Sequence, residues 1–240
     1  MVVGPGPASS APDRAADRPP AGVGEAARPR GRAPHVGGAG GYRFFWTQSN
    51  SRSPVAWDPC REVHYVVHGS PPPGAGGLLA DALARVGRAT GLVLVSDGVS
   101  DERPGDGRAA YQPQRYGRRW APLLIAWSDS GETPGFAGDW VGLTSPLVVS
   151  DARGRAIIVS GTVLLDRDKF ASELGRSEAS QVLAMRAVVL HELGHAVGLA
   201  HVQDPHQVMY GRTVAGVGSF AAGDLRGLAA LGRGTCAPDL

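Results

Sequence analysis

Apolar and polar residues between positions 63 and 166 form several patterns that are typical of β-strands. In residues 63–68 apolar side chains interleave with two histidines, which predicts a short strand with one wetter face. Residues 92–98 and 120–129 are apolar runs that end in turn residues, and we interpret both as buried strands. Residues 141–150 are a candidate strand, and residues 154–166 predict the last one. The patterns therefore predict about five strands.

Helical periodicity marks three other segments. Between residues 78 and 90 apolar residues recur at helical spacing, and Gly91 is a typical helix stop. Helices are also predicted over roughly residues 178–198 and, near the C-terminal end, over residues 221–232. Together the patterns predict one α+β domain, with a twisted mixed sheet of about five strands, two main helices and a short C-terminal helix.

Residues 1–41 differ in composition from the rest of the chain. They are dense in Pro, Gly, Ala and Arg and show no periodic apolar pattern. Such a segment cannot bury enough apolar surface to offset its chain entropy. We therefore predict a disordered tail over residues 1–41, which could be a linker or the remnant of a pro-segment, and a folded domain over residues 42–240.

Charge and hydropathy narrow the class of protein. The formal net charge is only +2, so no strong field points to a nucleic acid partner. No run approaches the length of about 18 apolar residues that a membrane span needs. The N-terminus lacks the basic start and apolar stretch of a signal peptide. Three alternatives stay open: the protein stays inside the cell, the chain starts downstream of a signal, or export uses another route.

The two cysteines lie near opposite ends of the folded region. Cys60 and Cys236 are too far apart in sequence for a local zinc knuckle. A single disulfide that closes a very long loop is one interpretation, which requires an oxidising compartment. Two unpaired thiols are the alternative.

A cluster of histidines carries the candidate chemistry. His191 and His195 are four residues apart in a predicted helix, so both rings project from one face, as two ligands of a single Zn²⁺ do. Glu192 flanks that face and could take a proton from a metal-bound water. Gly198 can end the helix in a left-handed conformation, after which the chain turns back and His201 can supply a third nitrogen.

Three histidines with one open position describe a hydrolytic zinc site rather than a closed structural one. For the composition of this chain, the chance of these five positions coinciding is on the order of 10⁻⁵. The spacing therefore favours a metal geometry over an accident.

The stretch "HELGHAVGLAH" resembles the signature of the metzincin proteases. Met209 stands eight residues after His201 and is followed by Tyr210, which resembles the matrixin branch. Asp224 and Gly227 in "DLRGLAALG" resemble the matrixin C-terminal helix, in which the Asp anchors the helix to the core. The resemblance covers roughly residues 58–236 in element order and is specific over about 191–232.

The resemblance implies a metzincin-like fold and a matrixin-like catalytic domain over residues 42–240, similar to small bacterial matrixin-like proteases. Three features depart from the family. Gly211 replaces the proline that usually follows Met-Tyr, and no histidine lies between His68 and His191 to ligate a second, structural zinc. The N-terminal tail also contains no cysteine-switch motif.

The activity implied is that of a zinc-dependent endopeptidase. His191, His195 and His201 would hold one catalytic Zn²⁺, and Glu192 would act as general base. Met209 would form an apolar floor under the metal without ligating it. An extended protein or peptide substrate would add as a strand to the sheet edge at residues 141–150. We expect a secreted monomer.

Two alternatives belong to other classes of protein. One is a zinc-containing binding or scaffold domain of the same fold without turnover, although ligands, base and methionine are all present. The other is an intracellular housekeeping protein in which the motif is incidental, which only the missing signal peptide favours.

The remaining polar residues point to weaker sites. Asp129, Glu132 and Asp139 in a Gly-rich loop could bind Ca²⁺, but their spacing matches no calcium motif and we favour a solvated loop. We expect His206 at the surface. We expect Asp204 to brace the loop after the third ligand through backbone hydrogen bonds.

Overall fold

The structure is a computed structural model that describes residues 2–5, 17–49 and 51–240. Its strands are β1 (Val2–Pro5), β2 (Arg43–Phe44), β3 (Ala56–Trp57), β4 (Val63–His68), β5 (Leu94–Val99), β6 (Leu123–Ser128), β7 (Trp140–Ser150), β8 (Ala156–Asp166) and β9 (Leu199–Ala200). Its helices are α1 (Ala75–Thr90), α2 (Pro113–Tyr116), α3 (Arg167–Gly175), α4 (Ala179–Val197) and α5 (Ala222–Leu231).

The main sheet is twisted and mixed, as predicted. Its strand order is β1–β7–β8–β6–β4–β5, and the short β3 pairs with β8. The β7–β8 pair is antiparallel, whereas the neighbouring pairs β8–β6, β6–β4 and β4–β5 are parallel. All five predicted strands exist, so the α+β class is confirmed; β1 and β3 extend the sheet.

Helices α1 and α4 pack on each other, and α4 lies against β7 and β8. The buried residues of α1 form an apolar stripe, and the helix ends at Gly91 with a φ of 74°, which confirms the predicted stop. Helix α4 is buried over its whole C-terminal half, from Ala187 to Val197. A continuous apolar core between these helices and the sheet therefore supports the segment that carries the histidines.

Two predictions about elements were wrong or incomplete. The strand expected to be buried, now β5, lies at the sheet edge with exposed side chains, since it pairs with β4 alone. Helix α3 was not predicted at all, although Asp166 is a typical N-cap whose carboxylate accepts hydrogen bonds from two backbone N–H groups. The apolar pattern of α3 is weak, so only the cap could have revealed it.

The disorder predicted for residues 1–41 is wrong for the part that the structure describes. The backbone N–H of Ala26 donates to the carbonyl of Cys60 at 2.9 Å. The guanidinium of Arg61 donates to the backbone of the same segment. These polar contacts hold the segment on the domain, and apolar periodicity cannot reveal them. Residues 6–16 lie outside the described residues.

A disulfide joins Cys60 and Cys236, as the first of the two interpretations predicted. It ties the start of the folded region to its end. Within the described ranges, none of the helices combines the length and apolar character needed to cross a bilayer.

Candidate metal and catalytic centre

The structure brings the three predicted histidines together. His191 and His195 project from α4, and α4 ends at Gly198 with a φ of 117°. A side chain at Gly198 would be strained there and would also lie 2.9 Å from a methyl group of Leu231. The chain reverses after this glycine and places the Nε2 of His201 3.0 Å from that of His191 and 3.1 Å from that of His195.

Backbone carbonyls fix the protonation of both helical histidines. The Nδ1 of His191 lies 2.7 Å from the carbonyl oxygen of Val208, and the Nδ1 of His195 lies 2.8 Å from that of Leu199. Because a carbonyl only accepts, each Nδ1 must donate, which leaves a lone pair on each Nε2. Both lone pairs point towards the Nε2 of His201.

Burial keeps these rings neutral. It lowers the pKa of His191 to about 3 and the pKa of His195 well below its usual value. Burial also lowers the pKa of His201. Neutral imidazoles are the form that binds a metal, so protonation does not compete with a cation at neutral pH.

The donor set fits Zn²⁺. In a tetrahedral site with Zn–N bonds of about 2.0–2.1 Å, neighbouring nitrogens lie roughly 3.3 Å apart. The Nε2 separations of 3.0 and 3.1 Å are close to that value. His191, His195 and His201 also form one of the two groups, among the described residues, whose ligand atoms could hold a metal ion.

Glu192 lies beside the histidines and is completely buried. Its Oε2 accepts a hydrogen bond of 2.6 Å from the hydroxyl of Thr144 in β7, whereas its Oε1 has no hydrogen-bond partner among the described residues. Burial raises the pKa of this carboxyl to about 8, and the bond from Thr144 opposes that rise. A buried carboxyl with a raised pKa next to three metal-type nitrogens is suited to accept and return a proton.

Met209 is buried against the helix that carries two of the histidines. A Cβ placed on Gly194 would be 2.5 Å from the Met209 sulfur, so the sulfur packs against α4 between the two helical histidines. Asp224 is also buried and accepts hydrogen bonds from the backbone of Val208 and Met209. The predicted anchoring of α5 by this aspartate is confirmed.

Gly142 and Thr144 in β7 were missed in the sequence. A Cβ on Gly142 would lie 2.5–2.7 Å from three atoms of Glu192, so the glycine lets the carboxylate lie against the strand. The signal was present, because a glycine inside a strand often marks a close approach. Thr144 gave no signal, because threonine is common in strands.

Phe45 was missed as well. Its ring centroid lies 4.9 Å from that of His195, and its backbone N–H donates to the carbonyl of Gly198. The flanking pair β2–β9 fixes the two residues that precede His201. No sequence pattern reveals this contact, because it joins residues about 150 positions apart in the chain.

The strand edge expected to receive substrate is paired with the chain's own N-terminal segment. β1 runs parallel to β7, with Val3 opposite Gly142 and Gly4 opposite Leu143, and it also approaches α4. The β7 edge therefore accepts an extended strand next to Glu192.

The three acidic residues considered for Ca²⁺ binding do not come together in the structure. Asp129 accepts hydrogen bonds from Gly131 and Glu132 backbone N–H groups and pairs with Arg167. It does not join Glu132 and Asp139 in a metal-ligand group within the described residues, so their geometry adds nothing to the calcium hypothesis.

The two expectations for the loop after the third ligand are confirmed. His206 is exposed. Asp204 accepts a hydrogen bond from the backbone N–H of His206 and another from the side chain of Gln207. The aspartate therefore braces this loop, as predicted.

Comparison with known protein families gives a match over the segment that contains this centre. Residues 146–229 match the family model described as Matrixin, and that segment contains Glu192 and all three histidines. No curated protein matches the chain significantly. A solved structure of a zinc-dependent peptidase from Methanocorpusculum labreanum (strain Z) is similar at 15% identity and a TM-score of 0.36, over 69% of this chain and 99% of that one. So weak a similarity supports no assignment of activity.

Proposed function

We propose that this chain, whose residues 146–229 match the matrixin family, is a zinc-dependent endopeptidase. One observation carries the proposal: three neutral imidazoles converge at Nε2 separations of 3.0 and 3.1 Å, directly beside a buried carboxyl. Three nitrogen ligands leave a position open for chemistry, which a structural zinc site does not.

The chain's own residues divide the work of peptide hydrolysis between them. His191, His195 and His201 would hold Zn²⁺, which when bound would polarise the scissile carbonyl and acidify a water. Glu192 takes the proton of that water at Oε1, the oxygen that has no hydrogen-bond partner among the described residues, and returns it to the leaving amine. Thr144 holds the other carboxyl oxygen at 2.6 Å and so fixes the orientation of the base.

Cleavage inside a chain, rather than at its end, is supported by the β7 edge. An extended segment paired with this edge runs past Glu192 in both directions, as β1 does.

Substitution of Glu192 by Gln tests the proposal and separates it from a scaffold without turnover. The amide is nearly isosteric and no proton acceptor, so hydrolysis should fall by at least about 10²-fold while the three nitrogens stay in place. Peptide hydrolysis and bound zinc are measured on the same preparation, with His195→Ala as the variant that should lose zinc. Near-normal cleavage by zinc-loaded Glu192→Gln would exclude the mechanism.

We also propose that the protein works outside the cytoplasm. The Cys60–Cys236 disulfide supports this, because such bonds persist in oxidising compartments. Finding the protein only in the cell fraction, with two titratable thiols, would contradict it; finding it in culture supernatant without titratable thiols is the expected result.

A further inference from the structure

Lys169 is the only lysine among the 24 basic residues of the chain, and its surroundings are unusual. Its Nζ donates to the carbonyl oxygens of Phe136, Gly138 and Trp140 at 2.7, 2.8 and 2.8 Å. A carboxylate oxygen of Asp166 lies 2.7 Å from the same nitrogen. The ammonium also lies 5.8 Å from the ring centroid of Phe136. Four oxygens thus surround one positive charge; we call this group the ammonium cage.

The cage explains why this basic residue is a lysine. Carbonyls from alternate residues of one loop turn towards a single point, as they do around a hard cation such as Ca²⁺. An ammonium is compact enough to occupy such a point and donates three N–H bonds outward from it, whereas a guanidinium spreads its donors across a planar fork. The loop therefore folds around a cation that the chain itself supplies.

Strand β8 and helix α3 hold the carboxylate and the lysine of the cage in place. Asp166 ends β8 and caps α3, and its other carboxylate oxygen accepts hydrogen bonds from the backbone N–H groups of Asp168 and Lys169. Both the carboxylate and the lysine are therefore held by the first turn of α3. The loop that carries the three carbonyls is the part that the ammonium fixes.

The cage also leads directly to the candidate centre. Trp140, whose carbonyl belongs to the cage, is the first residue of β7. Two residues later Gly142 contacts Glu192, and Thr144 donates to the same carboxylate. The position of the loop therefore determines where β7 enters the centre.

We propose that Lys169 is a positioning residue for peptide hydrolysis: its ammonium shapes residues 136–140 and so places the β7 edge over Glu192. The kinetic part of this proposal rests on the proposed function. The structural part does not, because loop order can be measured without any substrate.

The test compares Lys169→Arg, which keeps the charge, with Lys169→Met, which keeps most of the stem. Amide exchange in residues 136–142 should become at least about tenfold faster in both variants. The KM of an extended peptide should rise roughly 3- to 10-fold, with bound zinc unchanged and kcat within about twofold. Arg176→Met is the matched control, because it removes a charge from the C-terminal end of α3, where the arginine pairs with Glu173 of the same helix and not with the loop, and it should match the parent.

Chemical rescue separates positioning from general stability. In Lys169→Ala the missing atoms correspond to n-propylammonium, which should restore KM and slow exchange, whereas 1-propanol, uncharged and of similar size, should not. A Lys169→Arg variant equal to the parent in exchange and KM would overturn the proposal. So would variants that lose active enzyme at unchanged KM, or that propylammonium does not restore. If the parent cleaves no peptide, the proposed function fails, and the exchange data still decide whether the ammonium orders the loop.

Discussion

At the scale of single residues, the centre combines side chains that are close together in the sequence with side chains that come from distant parts of the chain. The spacing of His191, Glu192 and His195 within one helix predicts their geometry, because a helix turns by a fixed angle per residue. Phe45 and Gly142 reach the same centre from distant parts of the chain. Only the tertiary structure can show such contacts.

Gly142→Ala tests the close approach of β7 to the base. The new methyl carbon would lie 2.5 Å from Cγ of Glu192, closer than non-bonded carbons approach, so the carboxylate must move. Since a displacement of about 1 Å can cost up to roughly 10²-fold in rate, we expect kcat to fall by at least about tenfold. Zinc content should stay at the level of the parent. Gly77→Ala in α1 is the control, because among the described residues its added carbon meets no atom within 4 Å apart from its chain neighbours and the backbone of its own helix; equal kinetics for both variants would contradict the contact.

At the scale of elements, the predictions were correct where the apolar pattern continued without interruption along the element. Helix α4 and strands β6 and β8 carry sustained apolar patterns, and all were predicted. Helix α3 and the two-residue strands were not, since their positions follow from caps and tertiary pairing rather than periodicity. The edge position of β5 also follows from topology, which an apolar run does not encode.

Helix α5 acts on the centre through one chain of hydrogen bonds. Asp224 accepts from the N–H of Val208, and the carbonyl of Val208 accepts from His191. In Asp224→Asn the amide group loses charge and can offer only one acceptor oxygen, so we expect a loss of about 1.5–3 kcal/mol in the free energy of unfolding. Zinc should dissociate faster as well. Urea unfolding and chelator competition measure the two effects, with Asp204→Asn, at a more exposed site in the loop that contains Val208, as the milder control. An unchanged zinc off-rate would show that α5 does not act on His191.

At the scale of the whole molecule, the segment that precedes β2 and the C-terminal end meet at one buried charged group. Glu25 lies 2.9 Å from the guanidinium of Arg61, and Asp58 faces the same cation at 3.2 Å. Arg61 also donates to the backbone oxygens of Ala237 and Leu240, beside the disulfide. The prediction of a disordered tail failed here because hydrogen bonds and ions, rather than apolar burial, hold it.

This group makes stability depend on pH in an unusual direction. Burial, with the nearby Asp58, raises the pKa of Glu25 from 4.5 to about 7. The folded state thus binds a proton more tightly than the unfolded state, so Glu25 should destabilise the fold increasingly as the pH rises from about 4.5 to about 7, by at most a few kcal/mol. Glu25→Gln should remove this part of the slope. Urea unfolding of both proteins across the window measures it, and parallel pH profiles would contradict the assigned pKa.

The N-terminal strand β1 occupies the sheet edge at which the proposed substrate would bind. β1 pairs with the β7 edge opposite Gly142, where an extended substrate would also pair, so the two compete for the same backbone groups. Each net strand hydrogen bond contributes about 0.5–1.5 kcal/mol, and a loss of about 1.4 kcal/mol changes an equilibrium tenfold. Removal of residues 1–5 should therefore lower the KM of an extended peptide by about tenfold at unchanged zinc content and kcat. A synthetic peptide with the sequence of residues 1–8 should inhibit the shortened protein competitively. The same peptide with its residues in scrambled order is the control, and identical KM values for the full and shortened chains would show that β1 does not occupy the substrate edge in solution.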